Sequence, residues 1–195
     1  MPLLFVTGPV RSGKSAFAVA KAHGYGARVT YLATAAANPD DPEWSARIAR
    51  HRRDRPADWE VKESANWSCE QFCAFICELS FDQTLLIESL GTWLGTRMGS
   101  RASEIGSDYI GAQHALDEEA ALLAHALESA SANIIVVCEQ VGWDVVPPTP
   151  AGRLFRDVLG RLGQRVARSS DQAYLVVSGF ALNLRTGLAV STELG

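Results

Sequence analysis

At 195 residues, 47% of them hydrophobic and 21% charged, the chain has the length and composition of one globular domain, residues 1–195, able to bury most of its apolar surface. A formal charge of −4 argues against nucleic acid as a partner, so any basic function must sit in a local patch. The apolar run near the N-terminus has no basic flank and is too short for a signal peptide, no stretch approaches the roughly 18–20 apolar residues of a transmembrane helix, and the expected location is the cytoplasm.

In chain order, residues 3–7 form a short apolar run ending at Gly8 and read as a buried strand. A helix over 13–23 follows, with Gly24 as its C-cap candidate. Residues 28–33 (RVTYLA) are rich in β-branched and aromatic side chains and predict a second strand. Asp41, Pro42 and Glu43 supply an N-cap, a proline at the first helical position and a first-turn acid for a helix running to about Arg53. Residues 59–62 read as a short strand, and Asn66 as the cap of a helix through Leu79. A buried strand over 84–87 ends at Glu88, a helix covers 90–98, and the Gly/Ser-containing stretch 99–108 reads as a loop. An alanine-rich helix over 110–130 precedes the most apolar strand, 133–138. Three prolines make 141–150 irregular. Leu154, Val158, Leu162 and Val166 then form an i, i+4 stripe on a helix over 152–168, before a last core strand at 173–178. Cys69, Cys73 and Cys77 recur every four residues and read as small apolar side chains on one helix face, since their spacing matches no common metal motif.

Apolar strands alternating with helices imply an α/β fold whose mostly parallel sheet is covered on both faces. Ligands of such folds sit beyond the C-terminal strand ends. Gly8, Ala33, Thr34, Ala35, Glu88 and Glu139 all stand at those ends.

Gly8, Pro9, Val10, Arg11, Ser12, Gly13, Lys14 and Ser15 satisfy the G-x-x-x-x-G-K-[ST] pattern of a P-loop, between a predicted strand and a predicted helix. The glycines let successive backbone N–H groups turn inward, and the helix N-terminus adds partial positive charge. Lys14 is expected to reach the β- and γ-phosphates of a nucleotide triphosphate, and Ser15 to bind Mg2+. Glu88, at a strand end, fits the carboxylate that holds the Mg2+ shell.

Residues 47–55 carry five arginines, Arg47, Arg50, Arg52, Arg53 and Arg55, around His51 and Asp54. At about 100° per residue, Trp44, Ile48 and His51 share a helix face. One reading is an amphipathic helix with a half-buried histidine. The other makes His51 a nucleophile: neighbouring cations disfavour imidazolium, and a neutral ring can attack phosphorus while arginines neutralise phosphate oxygens. His23, His114 and His125 read as structural.

Taken in order, FVTGPVRSGKS, YLATA (31–35), RIxxH (47–51), RPxxW (55–59), LLIESLGTWL (85–94), VGWDVVP (141–147), FRDVLGRLGQRVA (155–167) and YLVVSGFALNL (174–184) resemble the bifunctional adenosylcobinamide kinase/adenosylcobinamide-phosphate guanylyltransferases of cobalamin biosynthesis. The resemblance implies a RecA-like P-loop NTPase fold, a three-layer sandwich, assembled as a homotrimer. It implies two reactions: ATP or GTP phosphorylates adenosylcobinamide, and GMP from GTP then passes through a guanylylated histidine to adenosylcobinamide-phosphate. His51 stands at the histidine position, with Lys14 in the catalytic phosphate clamp. Ala33, Thr34, Ala35, Arg52, Arg53, Asp54, Arg55, Glu63 and Glu88 would line the GTP site.

The chain departs from the family pattern at Glu139-Gln140, where Asn-Glu is usual, which moves the carboxylate by one position and can turn it to the other face. Pro42 is an added proline, and Trp44 replaces the usual methionine. Two other readings fit the P-loop alone: a small-molecule kinase without the histidine intermediate, and a nucleotide-dependent regulatory switch.

Overall fold

A computed structural model describes residues 2–25, 28–35, 38, 40–53, 55–143 and 145–190. Eight strands form one sheet in the order β3-β2-β4-β5-β1-β6-β7-β8. They are β1 (Leu3–Gly8), β2 (Arg28–Ala33), β3 (Glu60–Glu63), β4 (Gln83–Glu88), β5 (Asn133–Glu139), β6 (Gln172–Val177), β7 (Phe180–Asn183) and β8 (Ala189–Val190). The first six run parallel, and β7 and β8 return antiparallel. The helices are α1 (Lys14–Gly24), α2 (Pro42–Arg53), α3 (Cys69–Glu78), α4 (Leu90–Ser100), α5 (Ala102–Ser107), α6 (Tyr109–Ser129) and α7 (Pro150–Ser169).

Successive side chains of a strand point to opposite faces, and both faces here are buried. Leu3, Phe5, Leu85, Ile87, Ile134 and Val136 pack with α3, α4, α6 and α7, whereas Leu4, Val6, Leu86, Ile135 and Val137 pack with Phe17, Ala18 and Ala22 of α1. Apolar runs in β1, β4 and β5 therefore follow from double-sided burial, as expected for a parallel sheet between helix layers. On α7 the predicted stripe of Leu154, Val158, Leu162 and Val166 is buried.

Several sequence expectations shift by a few residues. Ser68, not Asn66, caps α3, through a reciprocal pair with Gln71. The expected loop 99–108 contains the short helix α5. Thr149 caps α7, whose first residue is Pro150, two residues before the expected start. The hairpin of β7 and β8 was not foreseen. Of the cysteine row, Cys69 is buried, Cys73 half-buried and Cys77 exposed, so only its first member is a core side chain; all are free thiols.

Away from the strand ends, Glu119 of α6 accepts bonds from Arg97 Nε at 2.7 Å and Nη2 at 2.9 Å, and from Arg101 Nη2 at 2.7 Å. Burial pushes the Glu119 carboxyl upward, but the two guanidinium groups outweigh it and hold it below its ordinary range. The triad ties α4 and its C-cap residue, Arg101, to α6. Glu119→Ala would leave Arg97 without its anion in a largely enclosed site, and Arg101 with only the exposed Glu104, and is expected to cost ~3 kcal/mol in a urea titration. A cost below about 1 kcal/mol, typical of a surface pair, would show that the triad does not hold these helices together.

Candidate functional site

Gly8 ends β1 so close to β6 that a Cβ there would stand 2.2 Å from the Val176 carbonyl oxygen, which is why the loop must begin with glycine. Arg11 and Gly13 take positive φ, 58° and 95°, turning the chain back into α1. Ser12 Oγ accepts from the Lys14 amide at 3.3 Å, and Ser12 O accepts from the Gly179 amide at 2.9 Å, fastening the loop to the β6–β7 turn. Lys14 is buried, and its Nζ donates to the Pro9 carbonyl at 3.4 Å. Pro9 is half-buried, while Val10 and Arg11 are exposed on the crest.

Ser15 Oγ donates to Glu88 Oε1 at 2.7 Å. Burial drives the Glu88 carboxyl up to about 7, only partly offset by Ser15, and Glu139 pushes in the same direction as burial. Its Oε2 is buried without a hydrogen-bond partner. A serine hydroxyl and a carboxylate oxygen with a spare lone pair suit a hard cation of the Mg2+ type.

Thr34 Oγ1 donates to the Ser89 carbonyl and accepts from the Ser89 amide, both at 2.7 Å, and contacts Thr92 Oγ1. It thereby holds the β4–α4 junction behind Glu88. Ala33 O accepts from the Ser64 amide at 2.9 Å and pairs in register with both Glu63 and Glu88; Ala35 is half-buried next to them. Glu139 accepts from Ser89 Oγ at 2.7 Å and from the Gly91 amide at 3.0 Å, so its carboxylate anchors the first turn of α4.

Helix α2 buries none of its residues, yet Trp44, Ile48 and His51 are half-buried on a shared face, as the 100° periodicity requires. Beyond His51 the chain is pinned to the strand ends twice. Arg52 Nη2 donates to Glu63 Oε1 at 2.6 Å, and the Arg55 guanidinium lies 4.5 Å from the Tyr31 ring centre. Arg55 acts electrostatically on Glu88, and its Nε is buried without a partner. Of the three such orphaned side-chain atoms among the described residues, two, Arg55 Nε and Glu88 Oε2, belong to this cluster; their opposite charges suit a phosphate and a cation together. Arg53 is exposed, and Asp54 lies outside the described residues.

The other histidines stand elsewhere: His23 packs on Trp59 with 4.8 Å between ring centres, His114 lies 3.5 Å from Glu118, and His125 is exposed on α6. Sequence reasoning missed Ser89, Thr92 and the seat that Tyr31 offers Arg55. The Ser89-x-x-Thr92 spacing is a helix-cap signal; the Tyr31 seat has no local signature.

A P-loop after the first strand, with a carboxylate two strands away at the end of β4, defines a P-loop nucleotide-binding protein. Two solved type III secretion ATPases share this fold at a TM-score of 0.54 and 12% identity: a prototypical ATPase of pathogenic bacteria, and EscN of enteropathogenic E. coli. The matches cover 98% and 91% of this chain but only 57% and 43% of those chains. The family is narrower. Residues 4–184 match the model described as cobinamide kinase / cobinamide phosphate guanyltransferase. Bifunctional adenosylcobalamin biosynthesis protein CobU of Salmonella typhimurium is 33% identical over 186 residues, covering 94% of this chain and 99% of that protein. CobU of Escherichia coli is 31% identical with the same coverage, and CobP of Pseudomonas aeruginosa is 31% identical over 92% of this chain and 95% of its own. The chain belongs to the cobinamide kinase / cobinamide phosphate guanyltransferase family of enzymes.

The raised Glu88 pKa gives a pH prediction. The unfolded chain releases this proton near 4.5 and the folded chain near 7, so the stabilisation is full below the first value and fades as pH climbs through the second. Without nucleotide, the melting temperature is expected to drop by about 3 °C or more from pH 5 to pH 8, and Glu88→Gln should flatten that slope. An unchanged slope in the variant would show that Glu88 does not titrate in this window.

Proposed function

We propose that this enzyme phosphorylates adenosylcobinamide with ATP or GTP, and then moves GMP from GTP to adenosylcobinamide-phosphate through His51, yielding adenosylcobinamide-GDP. The P-loop from Gly8 to Ser15, with Lys14 as its cation, would hold the triphosphate tail for both reactions. Ser15 and Glu88 would hold Mg2+, directly or through water, and the ion would neutralise charge on the phosphate oxygens. Ala33, Thr34, Ala35, Arg52, Arg53, Asp54, Arg55 and Glu63 would complete the nucleotide site.

In the second reaction, the His51 imidazole attacks the α-phosphorus of GTP. An N–P bond forms, the bond from the α-phosphorus to the bridging oxygen breaks, and pyrophosphate leaves with that electron pair. A phosphate oxygen of adenosylcobinamide-phosphate next attacks the same phosphorus and expels the imidazole, which returns neutral. Splitting the transfer this way replaces one three-body reaction with two in-line displacements. The observation that carries this reading is the pinning of the α2 end: Arg52 on Glu63 and Arg55 on Tyr31 hold the histidine helix against β3 and β2, next to the β4 end that carries Glu88 and on the same side of the sheet as the P-loop. Family membership supports it independently. A homotrimer in the cytoplasm is part of the same proposal; no helix among the described residues is long and apolar enough to cross a membrane.

Incubation with Mg2+ and GTP labelled at the α-phosphate, followed by denaturation, should leave acid-labile, alkali-stable label on the protein. His51→Ala should abolish that label while retaining most of the cobinamide kinase activity, and Lys14→Ala should abolish both. Label persisting at full yield in His51→Ala, or absent from active wild-type enzyme, would refute the histidine route and leave a kinase alone.

A further inference from the structure

The phosphate acceptor must approach the nucleotide held by the P-loop from the open side of the strand ends, above the point where Ser15 already bonds Glu88. The strands that carry Glu88 and the P-loop are separated there by one strand, because β5 lies between β4 and β1. The segment leaving β5 therefore rises over the point of transfer. Its start is fixed there: Glu139 pairs with Gly8, and the Gln140 amide donates to Gly8 O at 3.0 Å. Gly142 then turns with φ at 97°. Since a chain advances at most ~3.6 Å per residue, the Trp143 backbone is within about 11 Å of Gln140.

This segment is apolar where it should be polar. Trp143 is 61% exposed, Val145 89% and Val146 63%, three large apolar side chains within four positions on the open surface. It is nonetheless anchored at its far end, where Arg153 Nη1 donates to the carbonyls of Pro147 and Pro148, each at 3.0 Å, and Thr149 caps α7. Of the other exposed apolar residues, Val10 stands on the P-loop crest itself, whereas Phe81 precedes β4, at the opposite end of the strands, and Phe180 follows β6, on the far side of the P-loop from Glu88.

We infer that Trp143, Val145 and Val146 form the platform on which the corrin ring of cobinamide docks, presenting its side-chain hydroxyl, and later the phosphate, to the nucleotide. The inference rests on the cobinamide kinase reading above but not on the His51 intermediate. A corrin is a broad ring edged with methyl groups and carrying amide arms, so its face is mostly apolar and its rim polar. Indole and two valines give such a face a large contact without demanding buried polar partners, and the neighbouring backbone leaves the rim in water. The nucleotide needs none of these side chains, because its tail is gripped by backbone amides and Lys14.

The test compares Trp143→Ala and Val145→Ser/Val146→Ser with wild type and with Leu122→Ser, an exposed control on α6. Equilibrium dialysis reads bound cobinamide from its visible absorbance, steady-state assays read KM and kcat of the kinase step, and a GTP titration reads nucleotide affinity. Each platform variant should raise the cobinamide Kd and KM about tenfold or more, with GTP affinity and kcat at saturating cobinamide within about twofold of wild type. The control should change nothing. Wild-type cobinamide binding that both platform variants retain would overturn the platform while leaving the enzymatic reading intact. So would a variant whose only change is a shift in oligomeric state, since the loop would then face another copy. A wild-type enzyme that binds GTP but neither binds nor phosphorylates cobinamide would end both readings.

Discussion

The hydrogen bond from Ser15 Oγ to Glu88 Oε1 crosses from one side of β5 to the other, and the site is organised around it. Register shows why it is possible. Glu88 pairs with Val137 of β5, and Val137 pairs with Val6 of β1, so Glu88 is level with Val6 and two residues below Gly8. At ~3.3 Å per residue the carboxylate is recessed by about 6.6 Å beneath the start of the P-loop. The loop arches over this recess and returns into α1, whose second residue, Ser15, meets the carboxylate. A carboxylate so enclosed resists ionisation, hence its elevated pKa, and a cation beside it would reverse that preference. The same recess that costs stability in the free protein would thus favour a metal-bound nucleotide, should Mg2+ bind there as proposed.

Much of the architecture was legible because it rests on local rules. The strands β1, β4 and β5 announce themselves as apolar runs, since both faces of a parallel sheet are buried, and the P-loop string requires its strand before and its helix after. The Trp44, Ile48, His51 face follows from helix geometry alone. The β7–β8 hairpin was not legible: β8 has two residues, and Phe180, Leu182 and Leu188 stay exposed, so no inside–outside contrast marks it. Nor could sequence assign Thr34. At a strand end beside the P-loop it reads as a nucleotide-site residue, and nothing local shows that its hydroxyl also engages Ser89 and supports Glu88 from behind. Such partnerships span more than fifty residues of chain and leave no periodic trace.

The Glu139-Gln140 departure from the family pattern acquires a physical meaning. The Glu139 carboxylate serves Ser89 Oγ and the Gly91 amide, filling the space where a side chain on residue 91 would otherwise go. An anion at a helix start is favourable, and here it also braces the segment that carries Glu88. Gln140 occupies the position where the family places its acid, and its Nε2 donates to the Val141 carbonyl at 3.2 Å. A neutral amide so engaged is no proton acceptor. Among the acids of the β4 and β5 ends, Glu88 alone retains a buried oxygen without a hydrogen-bond partner.

Two kinds of attachment meet at this site. The P-loop is held by backbone contacts and by steric necessity at Gly8, so its amides are fixed before any ligand arrives. The histidine helix is different: it buries no residue, and its end is held by an exposed ion pair and by a guanidinium over a ring. Contacts of this kind contribute little stability, roughly 1 kcal/mol each or less, and are easily exchanged. A tight phosphate grip beside a weakly seated arginine cluster suits a reaction with two successive partners. In the proposed guanylyl transfer the P-loop would hold the triphosphate tail until pyrophosphate departs, and the bulky corrinoid phosphate would then approach on the side where the arginines stand. Arginines traded between protein carboxylates and ligand phosphates can follow that exchange without disturbing the core, because nothing in the core depends on them.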